Sequence, residues 1–263
     1  MHIEQIWLDN PLRNFNYLIA CAQTGDAAVL DPFEHERCLS VAEKNGWTIR
    51  HILNTHEHYD HIAGNQEIKR VTGATIAGPA DARGRIPDMN RELATGDQVR
   101  IGESIVLECL NTPGHTLSHV SLFSGGETPV LFAGDTVFNA GVGNCHNGGD
   151  PDILFSSIEE QIAPLPDATV IFPGHDYILS NLRFTLDREP DNTHARTLLD
   201  SLSEHDPADA PRCTLALEKK VNVFFRLDSP SVVAGIKDAF PNLPEKLDRK
   251  TTFIHLRKLR DRW

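Results

Sequence analysis

Apolar and polar positions fall into short runs with strand-like spacing along most of this chain, and into helical spacing near its end. Residues 16–21 and 27–32 are apolar stretches separated by Gln23-Thr24-Gly25-Asp26, which predicts a β-hairpin whose second strand closes on Asp31. Residues 34–45 change to helical spacing, and Gly46 follows at a C-cap position before a strand expected over 49–54. That strand runs directly into Thr55-His56-Glu57-His58-Tyr59-Asp60-His61, and residues 60–72 read as one helix. Further short strands are expected at 75–78, 98–101, 104–110, 118–124 and 130–133. Beyond Tyr177 helices are expected over 181–187, 195–203, 215–226 and 231–240, interrupted by a Pro- and Asp-rich break at 206–211. The change of character predicts two units, 1–176 and a helical subdomain at 177–263.

With 263 residues, 40% of them apolar, the chain is long enough for one large α/β domain with an appendage. Its net charge of −12 argues against nucleic-acid and anionic-membrane partners, which need clustered cations. The charge is uneven. Residues 1–176 hold 10 basic and 24 acidic side chains, whereas 177–263 hold 15 and 13, and 246–263 alone carry a net of +5. Five scattered cysteines without a C-x-x-C pair suggest reduced thiols rather than a disulfide framework or a thiolate zinc knot. The residues after Met1 show no secretory pattern, and no run approaches the roughly 20 apolar residues of a membrane span, so a cytoplasmic protein is expected.

Chemistry concentrates where strands end. In His56-x-His58-x-Asp60-His61 the first two imidazoles lie two residues apart, so an extended backbone turns both to one side, while Asp60 and His61 open the next helix. Four donors within six residues have no packing rationale that cheaper residues would not satisfy. Three more strand ends, Thr112-Pro113-Gly114-His115, Phe132-Ala133-Gly134-Asp135 and Phe172-Pro173-Gly174-His175, offer further donors, each behind a glycine that lets the backbone approach. Imidazole suits zinc, iron and similar ions, and a carboxylate between two cations can bridge them. Of the thirteen histidines, His2, His35, His51, His194, His205 and His255 read as surface or structural residues, and His119 as facing the strands.

The His56–His61 cluster, Thr112-Pro113-Gly114-His115-Thr116, Gly134-Asp135-Thr136 and Gly174-His175 resemble the metallo-β-lactamase superfamily. Within it the chain is most similar to the glyoxalase II, or hydroxyacylglutathione hydrolase, family. The likeness extends through Asn181-Leu182-Arg183-Phe184, Val221-Asn222-Val223-Phe224-Phe225-Arg226 and the terminal Leu256-Arg257-Lys258-Leu259-Arg260-Asp261-Arg262-Trp263. The resemblance implies an α/β fold, an αββα sandwich with a small C-terminal helical subdomain. It further implies that His56, His58 and His115 hold one divalent metal and Asp60, His61 and His175 another, with Asp135 bridging and Asp31 steadying the histidine loop. Zinc is the first expectation, iron or manganese the alternatives.

The implied reaction is hydrolysis of a glutathione thioester of the S-lactoylglutathione type, with Asp60 and Asp135 as the catalytic carboxylates, Asp60 orienting the attacking hydroxide, and Tyr177, Arg257 and Arg260 contacting the glutathione carrier. The chain departs from the family after Gly141-Val142-Gly143: Asn144 stands where a cation is usual, Cys145 and His146 replace aromatics and Asn147 replaces an acid. Asn144 and His146 are therefore candidate substrate contacts of altered character, and Cys145 and His146 candidates to touch metal or substrate. The rival readings are a one-iron persulfide dioxygenase, a hydrolase of another acyl-thiol, a β-lactamase, a nuclease and a non-enzymatic thiol-binding module stapled by metals.

Overall fold

A computed structural model describes residues 1–202, 204 and 206–263. The first sheet follows the chain: β1 (His2–Trp7), β2 (Phe15–Ala20), β3 (Asp26–Leu30), β4 (Thr48–Leu53), β5 (Thr75–Pro79) and β6 (Arg91–Leu93) pair in that order. The expected hairpin is β2 against β3, antiparallel, with Leu18 opposite Val29; from β3 onward the pairings are parallel. The second sheet begins with β7 (Gln98–Ile101), β8 (Ile105–Asn111), β9 (Val120–Ser124) and β10 (Val130–Gly134). A two-stranded hairpin, β11 (Val137–Phe138) and β12 (Gly141–Val142), follows, and β13 (Val170–Pro173) then returns to lie parallel to β10 at the sheet's edge.

Alternation along β2 explains why two sheets stack. Phe15, Tyr17 and Ile19 point into a core shared with Leu107, Leu122, Phe132 and Phe172 of the second sheet. Tyr17 meets Phe172 edge-on at 5.6 Å, and its hydroxyl donates to the Pro173 carbonyl at 2.6 Å, so the buried ring keeps its polar atom satisfied. Leu18 points the other way, with Val29, Ile52 and Ile76, against Cys38 and Ala42 of α1 (His35–Lys44) and Ile68 of a second helix. The outer face of the second sheet, Leu131, Ala133 and Ile171, is covered by Leu154 of a helix at Pro151–Ser157 and by helices from the chain's last third. The layers are αββα, as the resemblance implies.

The expected helix over 60–72 is two helices, α2 (Tyr59–Ile62) and α3 (Asn65–Thr72). Gly64 separates them because its N–H donates to the Pro32 carbonyl at 2.8 Å, and a Cβ there would meet that oxygen at 2.7 Å. After α4 (Pro151–Ser157) and a π-helical turn at Ile158–Ile162, the C-terminal helices are α5 (Ile178–Arg188), α6 (Thr193–Ser201), α7 (Leu215–Val221), α8 (Pro230–Ala239) and α9 (Arg249–Arg260). The expected helix over 215–226 stops at Val221: Asn222 still bonds the Glu218 carbonyl through its N–H but turns to extended backbone, where its side chain donates to the Gly141 carbonyl and to Glu218. The end of the expected helix over 195–203 falls on Ser203, which with His205 lies outside the described residues.

The basic terminal stretch is α9, capped by Asp248, whose carboxylate accepts from Thr251 N–H at 2.7 Å. Much of its charge meets acids already on the protein: Arg249 pairs with Glu159 and Asp228, Lys250 with Asp152, and Arg257 with Asp261. The net of +5 is therefore not a free cationic clasp. Glu159 and Asp152 belong to the acidic first part of the chain, so the uneven charge serves to seat α9 on α4 and the π turn.

Candidate metal centre

Loops at the C-terminal ends of β4, β10 and β13, with the loop after β8, converge on one point. His56 Nε2 and His115 Nε2 each lie 3.0 Å from His58 Nδ1. Beside this trio, His61 Nε2 and His175 Nε2 stand 3.2 Å apart, each 3.5 Å from Asp60 Oδ2. Asp135 lies between: Oδ2 is 3.4 Å from His115 Nε2 and 3.2 Å from His175 Nε2, and Oδ1 is 3.5 Å from His61 Nε2. Gly174 is required here, since a Cβ on it would meet Asp135 Oδ1 at 2.2 Å.

The backs of the rings fix their protons. A carbonyl only accepts, so His115 Nδ1 donates to Asn144 O at 2.7 Å and His175 Nδ1 to Leu12 O at 2.7 Å, leaving both Nε2 lone pairs bare toward the centre. His61 Nδ1 faces Asp31 Oδ2 at 3.0 Å, and His56 Nδ1 faces Thr55 Oγ1 at 3.0 Å. Asp31, in a left-handed backbone conformation with φ of 48°, also accepts from Thr55 N–H at 2.7 Å and Thr55 Oγ1 at 2.6 Å. Asp31, His56 and His61 offer a third convergent set of atoms, but Asp31's oxygens already take these three donors behind the rings. Asp31 thus meets Thr55 and the His61 ring from the side away from Asp135.

Electrostatics agree. Burial disfavours the charged form of the Asp135 carboxyl, yet His175 and His61 outweigh it and hold its pKa well below the carboxylate range. Burial opposes a proton on His61 too, and Asp135 and Asp31 overcome it, holding that pKa well above the usual one for imidazole. Burial and then the neighbouring His61 charge hold His56 well below it. Asp60, against the effect of its own burial, is lowered by His61, by an Asn14 amide donating at 2.9 Å and by His175. An ionised carboxylate thus sits between a charged His61 and the bare Nε2 atoms of His115 and His175.

Asp135 Oδ1 is buried and accepts no hydrogen bond, which a buried carboxylate oxygen rarely tolerates without a cation. Nitrogen donors around an ion at 2.0–2.1 Å lie about 3.3 Å apart, close to the 3.0–3.2 Å found here. The donor set fits divalent cations in two adjoining groups, His56/His58/His115 and Asp60/His61/His175, with Asp135 touching both.

The five residues expected at the substrate, Asn144, His146, Tyr177, Arg257 and Arg260, line one cavity of about 240 Å³ together with Phe138. Tyr177 stacks on the His175 ring at 5.1 Å, so cavity and centre are contiguous. Arg260 reaches Ser180 Oγ at 3.0 Å and is half-buried. Arg257 is only 6% exposed, and its guanidinium is filled by the Val142 and Gly143 carbonyls and by Asp261. His146 is exposed and pairs with Asp261 at 3.2 Å. Cys145 turns into the apolar cluster, where burial pushes its thiol up to about 12, and neither it nor His146 enters a ligating group among the described residues. A larger cavity of about 520 Å³, by Met1, Ser104, Val130 and Arg212, contains none of these donors.

Three contributors carry no sequence signal of their own: the Leu12 and Asn144 carbonyls and the Asn14 amide. His119, read as facing strands, is fully buried and stacks on His56 at 5.1 Å; its Nε2 accepts the Asp135 N–H at 3.1 Å. Its place four residues after His115 was the available signal.

Comparison with known proteins follows the same lines. The profile of the metallo-beta-lactamase superfamily matches residues 10–175, and that of the hydroxyacylglutathione hydrolase C-terminus matches 176–263. The chain belongs to the metallo-β-lactamase superfamily. Proteins named hydroxyacylglutathione hydrolase from a Polaromonas species and from Nitrosococcus oceani are each 51% identical over 100% of both chains, which places this chain in that family. The crystal structure of ETHE1 from Myxococcus xanthus superposes with a TM-score of 0.68 at 24% identity, covering 99% of this chain and 98% of that one, a likeness of fold. No helix of the described residues is long and apolar enough to cross a membrane.

Proposed function

We propose that this protein hydrolyses thioesters of glutathione, of the S-lactoylglutathione type, to a hydroxy acid and the free thiol at a pair of divalent metal ions. The observation that carries the reading is Asp135, whose carboxylate touches both donor groups while its buried Oδ1 accepts no hydrogen bond. His56, His58 and His115 would hold one ion, Asp60, His61 and His175 the other, with Asp135 shared. Two such ions supply Lewis acidity that lowers the pKa of water and polarises a carbonyl. Zinc is the first candidate, and the same donors accept iron or manganese.

The chain's own groups then have separate tasks. Asp60 keeps Oδ2 on the Asn14 amide, and Oδ1, which accepts no protein hydrogen bond among the described residues, takes the hydrogen of the attacking water and aims its oxygen at the thioester carbon. That C–O bond forms, the C–S bond breaks, and the sulfur leaves as thiolate. His115 and His175 are held to one tautomer by the Asn144 and Leu12 carbonyls. Arg260 and Tyr177 hold the peptide of the leaving thiol in the cavity beside the centre, with Asn144 and His146 at its rim. Arg257 faces the same cavity but is already bonded, so Arg260 is the guanidinium with capacity left for a glycine carboxylate.

This reading divides the chain into a metal-binding unit, 1–176, and a C-terminal helical substrate-binding unit, 177–263, and places the protein in a reducing cytoplasm where its five cysteines stay free. A one-iron persulfide dioxygenase needs only three donors. The second convergent group here favours the hydrolase. Rates on S-lactoylglutathione against the same acyl group on coenzyme A and on cysteine test the carrier. Glutathione preference by kcat/KM of tenfold or more is expected, and equal rates on all three would overturn it.

A further inference from the structure

The β11–β12 hairpin projects from the end of the second sheet into the C-terminal helices, and its main chain is held by their side chains. Ala140, at the turn with φ of 58°, donates its N–H to both carboxylate oxygens of Glu218 in α7, at 3.1 and 2.9 Å. Asn222 bridges the Gly141 carbonyl at 3.0 Å and Glu218 Oε2 at 2.9 Å. Asn181 of α5 donates to the Asn139 carbonyl at 3.0 Å, and Arg257 of α9 to the Val142 and Gly143 carbonyls at 3.1 and 3.2 Å. The next carbonyl along the chain is that of Asn144, which takes the Nδ1 proton of His115. The segment rests directly on the centre: a Cβ on Gly143 would meet the Asp135 carbonyl at 2.0 Å.

We propose that Glu218 is a positioning residue of the metal centre, fixing the hairpin so that the Asn144 carbonyl holds His115 with its Nε2 aimed between His58 and Asp135. The inference rests on the reading that His56, His58 and His115 form a metal group. Glu218 is fully buried with only neutral donors beside it, Ala140 N–H, the Asn222 amide and the Cys213 thiol, and burial pushes its carboxyl up to about 7. A buried carboxyl without a cation is an expensive way to close a turn. Once ionised, its two oxygens do what an amide cannot: both accept from Ala140 N–H while Oε2 also takes the Asn222 amide, whereas a glutamine puts an NH2 against one of these donors. The helices of the C-terminal part thereby reach His115 through the main chain of the hairpin segment.

The test compares full-length wild type with Glu218→Gln and Glu218→Ala, each loaded with zinc and, separately, with cobalt(II). Competition with a chromophoric chelator reads the affinity of each ion, the visible cobalt bands read its geometry, and thermal unfolding reads the fold. Both variants, if folded, should bind one ion about tenfold or more weakly, with a changed cobalt spectrum, while the other ion keeps its affinity. Glu218→Gln decides the matter if Glu218→Ala does not fold. A folded Glu218→Gln with both affinities and the spectrum unchanged, only its melting temperature lowered, would make Glu218 a structural turn cap and overturn the proposal. Wild type that fails to bind two ions would instead overturn the metal reading on which it rests.

Discussion

Asp31 shows how one residue's backbone serves the site. Its left-handed φ swings the carboxylate off the end of β3 onto Thr55 and His61, so one side chain orients both the loop and a ring. Replacing Asp31 by Asn keeps the volume and removes an acceptor for the His61 proton. Metal affinity should fall 10–100-fold, as read by chelator competition, the range usual for partners behind a ligand. Unchanged affinity would show that the His61 ring needs no such partner. Glu218 gives a second expectation at this scale. Its carboxyl is raised from 4.5 to about 7 in the folded chain, so its contribution to stability is fully present below about 4.5 and is lost as pH rises through about 7. In urea unfolding, wild type should therefore lose ground to Glu218→Gln between pH 5 and pH 8, by up to about 3 kcal/mol. A difference that stays constant with pH would refute the burial of an ionisable group there. Legibility at this scale followed side-chain chemistry: His56, His58, Asp60 and His61 announce themselves by spacing, whereas the Leu12 and Asn144 carbonyls act through atoms every residue has.

At the scale of elements, strands written as continuous apolar runs were readable and helices defined by tertiary contacts were not. The β2–β3 hairpin follows from two apolar runs and a polar turn, but the break at Gly64 depends on the Pro32 carbonyl, distant in sequence. Helix α9 was hidden because its charged positions look like a solvated tail; only in three dimensions do Phe253 and Leu256 enter the core while Arg249 and Lys250 meet acids on the first part of the chain. Phe253 packs on Phe155 at 5.5 Å and on Phe224 at 5.3 Å and is fully buried. Phe253→Ala should cost about 3–5 kcal/mol in urea unfolding and undock α9 from the cavity, raising KM for the thioester. Loss of less than about 1 kcal/mol would mean that the helix is held by its ion pairs, which at such exposure are worth little each.

For the molecule as a whole, the net charge of −12 divides into a function for each part. In the first part, Asp60 and Asp135 sit among imidazoles at the centre and Glu159 and Asp152 receive the basic residues of α9. The αββα layering was legible only through the resemblance of the metal motifs to a known superfamily, whereas the position of the site was legible because its donors follow strand ends. What needed the structure was the dependence of the two parts on each other, since the hairpin that orients His115 is gripped from the C-terminal helices. The central claim is a pair of ions sharing Asp135. It is tested most directly by measuring metal content and S-lactoylglutathione hydrolysis together while zinc is added back to chelator-stripped protein. Two ions per chain, with activity absent in the stripped protein and complete only as the second ion binds, is the predicted result; full hydrolysis by metal-free or one-ion protein would contradict it.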